Sequence, residues 1–193
     1  MAFHVLSIAA AAYLCTAVTD ELWRYYLIIG ALALGSLYEL MRMRFGGLFS
    51  WLFGFLQGRE EEKQTRTASM DFVVAMSISA GLFSPRIAAT SFMVVALADP
   101  FARIFGISFG SVRWPGSRKT IEGSAACFVV SFFTVMSCLQ DVPKPFCALA
   151  ALVATIAELL PQKVFRTYFG LVATPCDNFY IPIGTAALLA WAI

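Results

Sequence analysis

Seven apolar runs, each broken off by charges, prolines or glycines, dominate this chain and limit what it can fold into. They are Phe3–Val18, Leu22–Met41, Met70–Phe83, Ile87–Ile107, Ser124–Leu139, Pro145–Leu160 and Phe179–Ile193. An apolar stretch of about 20 residues is the length of helix that crosses a bilayer. Hydrophobic residues make up 60% of the chain and charged ones 13%, a balance that a wetted surface on 193 residues would not tolerate. The expected fold is therefore all-α: a polytopic membrane protein of about seven transmembrane helices, forming one integral membrane catalytic domain over residues 1–193. Several runs fall short of a full span, so tilt, local thinning or half-helices belong to the expectation.

Between the second and third runs, residues 45–57 are apolar and aromatic but too short for a crossing, which predicts an interfacial helix. The charged stretch Arg59 to Thr67 after it reads as a solvated loop or helix end. The first run has no basic segment before Phe3 and no small-x-small cleavage site, so it is expected to remain as a spanning helix. Orientation follows from lysine and arginine, which collect in cytoplasmic loops. With the N-terminus inside, Arg42, Arg44, Arg59, Lys63, Arg66, Arg103, Arg113, Arg118, Lys119, Lys163 and Arg166 are cytoplasmic, and only Arg24, Arg86 and Lys144 lie outside.

Charge and cysteine usage exclude several function classes. A net charge of +2 without any basic run argues against nucleic acid as a partner. Cys15, Cys127, Cys138, Cys147 and Cys176 show no C-x-x-C spacing and no zinc pattern, and read as reduced, packed thiols. His4 is the one histidine, so catalysis would fall to carboxylates, lysine, arginine and a bound ion.

An ionisable group inside an apolar run is costly and marks a functional candidate. On the expected topology Glu39, Asp71, Asp99, Glu122, Glu158 and Asp177 all lie toward the cytoplasmic face, whereas Asp20, Glu21 and Asp141 are ordinary acids of the other side. One inward-facing polar pocket is the simplest account. Two segments carry most of the signal. In Leu97–Gly123, Asp99 is a carboxylate within a helix, and Gly106 and Gly110 let backbone approach a ligand. Arg118 and Lys119 supply cations, and Thr120 caps the next helix with Glu122 in its first turn. A helix N-terminus beside two cations suits phosphates. In Ala157–Pro182, Glu158 precedes Pro161, and Asp177 and Asn178 stand at the entrance of the last run. Together these are the parts that hold a magnesium nucleotide.

Each part has a plainer reading. Gly106 and Gly110 alone suit a helix-packing contact. Arg118 and Lys119 alone suit positive-inside anchors. Glu39 suits a pair with Arg42, Asp71 a charge at a helix start, and Asp99 and Glu158 buried pairs with Arg103 or Lys163. Their clustering favours the shared pocket. No G-x-x-x-x-G-K-[ST] element is present, so a nucleotide would be held differently from a P-loop enzyme.

The first segment resembles the CTP-binding motif of the dolichol kinase family, D-x-x-A-x-x-x-G-x-x-x-G, a spacer, then K-K-T-x-E-G. It is matched by Asp99, Ala102, Gly106, Gly110, Arg118, Lys119, Thr120, Glu122 and Gly123, with arginine for the first lysine and a spacer about one residue short. The second segment is similar to the downstream E-x-x-x-P and D-N-x-x-x-P elements through Glu158, Pro161 (one residue early), Asp177, Asn178 and Pro182. The wider group takes in phytol kinases, CTP-dependent diacylglycerol kinases and, more distantly, phosphatidate cytidylyltransferases, whose H-G-G and D-R-x-D ending is missing here. The resemblance implies a CTP-dependent lipid kinase using Mg²⁺. It would transfer the γ-phosphoryl group to a membrane lipid alcohol, of diacylglycerol or polyprenol and phytol type, at the cytoplasmic face. Asp99, Glu122, Glu158 and Asp177 would share metal coordination and catalysis. Arg103, Gly106, Gly110, Arg118, Lys119, Thr120, Gly123 and Asn178 would hold the nucleotide. The alternatives are a phosphatidate cytidylyltransferase making CDP-diacylglycerol from the same pocket, and a small ion-coupled transporter or membrane assembly factor. The identity of the lipid alcohol and a homo-oligomeric state stay open.

Overall fold

In the computed structural model, which describes residues 2–18, 20–44, 68–115, 117, 119–159 and 177–193, each of the seven apolar runs forms a helix. These are α1 (Ala2–Ala17), α2 (Glu21–Arg44), α3 (Ala68–Leu82), α4 (Pro85–Ser108), α5 (Ile121–Cys138), α6 (Lys144–Leu159) and α7 (Asp177–Ala192). No strand occurs among the described residues; an isolated antiparallel bridge joins Arg113 and Thr120. The expected interfacial helix at 45–57 and the charged stretch after it lie outside the described residues.

α4 is the hub. It packs against α1, α3, α5 and α7, and α5, α6 and α7 follow one another in contact, while α2 leans chiefly on α3. The start of α4 follows from Ser84 in extended backbone and Pro85 in the first turn, where a missing N–H costs nothing.

On α5 and α6 the packing is inverted relative to a water-soluble bundle. On α5 the buried face is Gly123, Ser124, Cys127, Ser131, Thr134 and Val135, while Val129 and Phe133 point outward. On α6 the buried face is Cys147, Ala150, Ala151, Ala154, Thr155, Ala157 and Glu158, and Leu149, Leu152 and Ile156 are exposed. Small and hydroxyl-bearing side chains let helix backbones approach closely where lipid removes any hydrophobic drive to bury leucine. Several hydroxyls satisfy themselves on their own helix, as Thr134 does with the Val130 carbonyl at 2.7 Å and Thr155 with that of Ala151 at 2.8 Å.

By length and composition α4 and α5 can cross a membrane. Shorter apolar stretches occupy Tyr25–Tyr38, Asp71–Leu82 and Phe179–Ala192. A helix of 15 residues such as α3 rises about 22 Å, less than the hydrocarbon thickness. The architecture is compatible with a polytopic membrane protein.

Candidate active site

The site is built where α4 ends and α5 begins. Thr120 has extended backbone (φ −113°, ψ 154°), and its Oγ1 accepts the Gly123 N–H at 3.2 Å, so it caps α5 as its sequence context predicts. Before it, the chain folds back on itself. The Ile121 N–H donates to the Val112 carbonyl at 2.9 Å and the Trp114 N–H to the Lys119 carbonyl at 3.0 Å, while the Ser117 N–H closes the turn onto the Trp114 carbonyl at 3.1 Å. The Trp114 indole N–H reaches Ser124 Oγ at 3.1 Å and ties this hairpin to α5.

The glycines make the fit possible. A Cβ on Gly123 would stand 2.8 Å from the Ala102 carbonyl oxygen, and one on Gly106 3.0 Å from Thr120 Oγ1. At Gly110 it would strike the Gly106 carbonyl oxygen and lie 2.6 Å from Thr120 Cγ2. Their immediate work is thus to let the last turns of α4 close around Thr120 and the first turn of α5.

Lys119 and Glu158 meet across the α5–α6 pair. Lys119 Nζ is 2.9 Å from Glu158 Oε1 and also donates to the Glu158 backbone carbonyl, in the last turn of α6. A cation at a helix C-terminus is favourable in its own right. Glu158 is only 7% exposed, and its buried Oε2 has no hydrogen-bond partner among the described residues. A charge so enclosed persists only with a partner. The pairing with Lys163 considered from sequence concerns a residue outside the described set; Lys119 is the partner seen.

Of the other residues singled out from sequence, Asp99 is half-buried on α4. Pro100 follows Asp99 inside the helix and has no N–H for the Ala96 carbonyl. Pro182 stands in the same relation to the Asn178 carbonyl in α7. In lipid, backbone groups released from a helix are tolerated where protein or a polar cavity receives them. Arg103 is exposed near the C-terminal end of α4. Asp177 and Asn178 begin α7, but their side chains, like Glu39 and all of Arg118 and Pro161, are outside the described residues. Glu122 turns toward the hairpin, where its Oε1 accepts from the Ser111 N–H at 2.9 Å and from the Ser111 hydroxyl.

Asp71 is the first-turn charge that its place in the sequence predicts, and it is also enclosed. It is 4% exposed, in the first turn of α3, which packs on α7. Its position directly before the run Phe72–Met76 was the available signal.

A magnesium ion would draw on the same carboxylates. Among the described residues no three of His, Cys, Asp and Glu gather as a metal cluster. Mg²⁺, however, commonly takes one or two carboxylates and completes its shell with phosphate and water. The buried Oε2 of Glu158, which meets no donor among the described residues, fits that requirement.

With this geometry in hand, comparison with known proteins gives one kind of match. A stretch of 43 residues is 37% identical to dolichol kinase of Mus musculus, and the figures are the same for the dolichol kinases of Bos taurus and Homo sapiens. The chain is distantly related to the dolichol kinases. The matched stretch covers 22% of this chain and 8% of the length of each relative. No family model and no solved structure matches.

Proposed function

We propose that the protein is a CTP-dependent lipid kinase that phosphorylates a membrane lipid alcohol at the cytoplasmic face. The observation that carries the reading is the Lys119–Glu158 pair, set beside the capped N-terminus of α5 in a chain distantly related to kinases of a lipid alcohol. The seven helices would cross the membrane with the N-terminus inside, bringing the start of α5 and the end of α6 to the cytoplasmic surface together.

In the resting arrangement Lys119 and Glu158 neutralise one another. An incoming triphosphate offers Lys119 a stronger anion, and Lys119 changes partner, while Arg103 and Arg118 add charge at the same face. The N-terminus of α5 favours the same anion. Asp99, Glu158 and Asp177 would hold magnesium, which when bound spreads the charge of the phosphate oxygens. The lipid enters sideways between helices and presents its hydroxyl to the γ-phosphorus. The hydroxyl oxygen bonds to that phosphorus as the bond to the β–γ bridging oxygen breaks; the proton passes to a carboxylate, and CDP leaves. Such transfer needs mainly positioning and charge neutralisation, which this short inventory can supply.

The test is purified protein with Mg²⁺, a panel of lipid alcohols and phosphatidate, and CTP labelled separately at its α and γ phosphates. Label passing from the γ position into lipid is the expected result. Label passing from the α position would make the protein a cytidylyltransferase instead, and no transfer would overturn the enzymatic reading.

A further inference from the structure

Glu122 has the motif position of a ligand but the contacts of a clamp. Its Oε1 alone takes three donors: the Ser111 N–H at 2.9 Å, the Ser111 hydroxyl, and the Val112 N–H at 3.3 Å. Two consecutive amides and a hydroxyl thus converge on one oxygen, an anion-binding concavity filled by the protein's own carboxylate. Oε1 so engaged has little left to offer a cation, and unlike Glu158, whose Oε1 faces a lysine, this carboxylate is turned into its own hairpin. The other oxygen, Oε2, is buried and meets no donor among the described residues.

The contact matters because of what hangs from it. Gly110 brings the chain so close to Gly106 and Thr120 that no side chain fits, and this delivers the next two amides to Glu122. From Val112 onward the hairpin is pinned in turn, through Ile121 at 2.9 Å and through Trp114 to the Lys119 carbonyl at 3.0 Å. Lys119 is therefore placed by a chain of contacts that starts at Glu122.

We propose that Glu122 is a positioning residue rather than a ligand: through Oε1 it fixes the hairpin that presents Lys119 and Thr120. This rests on the kinase reading for its kinetic consequence, but not for its structural one. It also replaces the metal-ligand and catalytic role that the motif implies for Glu122.

Glutamine is the discriminating substitution. Its amide oxygen can take the place of Oε1 under the same three donors, and its NH₂ then occupies the Oε2 position, where no donor competes. The full chain, in detergent or nanodiscs, is compared as wild type, Glu122→Gln, Glu122→Ala and Ser111→Ala. Hydrogen exchange of the peptide around Ser111 and Val112, the Mg²⁺ concentration for half-maximal activity, and KM and kcat for CTP are measured. Glu122→Gln is expected to keep slow exchange and an unshifted Mg²⁺ requirement, with KM raised by less than about fivefold. Glu122→Ala should speed exchange by about tenfold or more and raise KM by a similar factor, leaving kcat within a few-fold. Ser111→Ala should fall between them and keeps the test open if Glu122→Ala fails to fold. A Mg²⁺ requirement shifted about tenfold in Glu122→Gln, or exchange unchanged in Glu122→Ala, would overturn the proposal. If wild type transfers no phosphoryl group, the kinase reading fails while the exchange measurement still decides the clamp.

Discussion

α2 and the α4–α5–α6 unit are both helical and both apolar, yet they are built on opposite terms. α2 keeps Leu22, Trp23, Tyr26, Ile29, Leu34 and Leu40 exposed and leans chiefly on α3. The α5–α6 pair turns mostly glycine, alanine, serine, threonine and cysteine inward, α4 adds Ile87, Phe92, Val94 and Val95 to the same interior, and the Lys119–Glu158 pair joins the start of α5 to the end of α6. An apolar helix that leaves its large side chains exposed is suited to lipid. A helix that buries one face of mostly small side chains is suited to holding a polar site rigidly. The difference teaches that hydrophobicity alone does not rank these helices for function; what each of them buries does.

The strongest way to break the comparison is through activity. Asp99→Asn and Glu158→Gln should each lower phosphoryl transfer by about 100-fold or more, whereas Ile29→Ala on α2 should leave it intact, as a radiolabel assay would show. Full activity in Asp99→Asn would remove the carboxylate from the scheme.

Next in size is the buried pair. Lys119→Ala leaves Glu158 enclosed without its cation and should destabilise the protein by about 3 kcal/mol in denaturant titration. The double change Lys119→Met with Glu158→Leu should recover most of that loss and remain inactive, separating the fold's need of the pair from the reaction's.

The glycines sharpen the contrast directly. Gly123→Ala drives a Cβ to 2.8 Å from backbone oxygen and should cost about 1–3 kcal/mol. Gly30→Ala on α2 meets nothing within 4 Å, and it should be neutral or stabilise by up to about 1 kcal/mol. Equal melting temperatures for the two variants would erase the distinction.

The smallest effect belongs to Arg86 and Asp141, an exposed pair at 3.0 Å joining the start of α4 to the α5–α6 turn. A hydrogen bond from its own backbone, and after it the Arg86 guanidinium, hold the Asp141 carboxyl below its ordinary value. Whatever it adds to stability is therefore complete above the ordinary aspartate range and is lost as pH falls through the lowered value. Arg86→Ala should barely move the melting temperature, and added salt should erase the difference.

Much of this was legible before any coordinates. The apolar runs foretold all seven helices within a few residues, because length and composition are local properties, and the Thr120 cap follows from one residue's chemistry next to an apolar run. The partners were not legible. Lys119 finds Glu158 across two helices, and Glu122 reaches Ser111 through a turn that glycine permits. Neither spacing has a periodicity that a linear pattern could show. The enclosure of Asp71 was not legible either, since α3 packs on an α7 that begins more than 100 residues later in the chain.

The distance along the chain between Lys119 and Glu158 has a consequence for how the protein is made. The two are 39 residues apart, so a ribosome has finished α5 and the tight turn after it before the acid exists. On the proposed topology Lys119 would during that interval be an uncompensated cation that resists being drawn through the bilayer and keeps its end of α5 on the side of synthesis. Once α6 is made, the same ammonium is covered by Glu158. A single side chain would thus serve first as a topological anchor for a growing polypeptide and afterwards as the fastening of a finished helix pair.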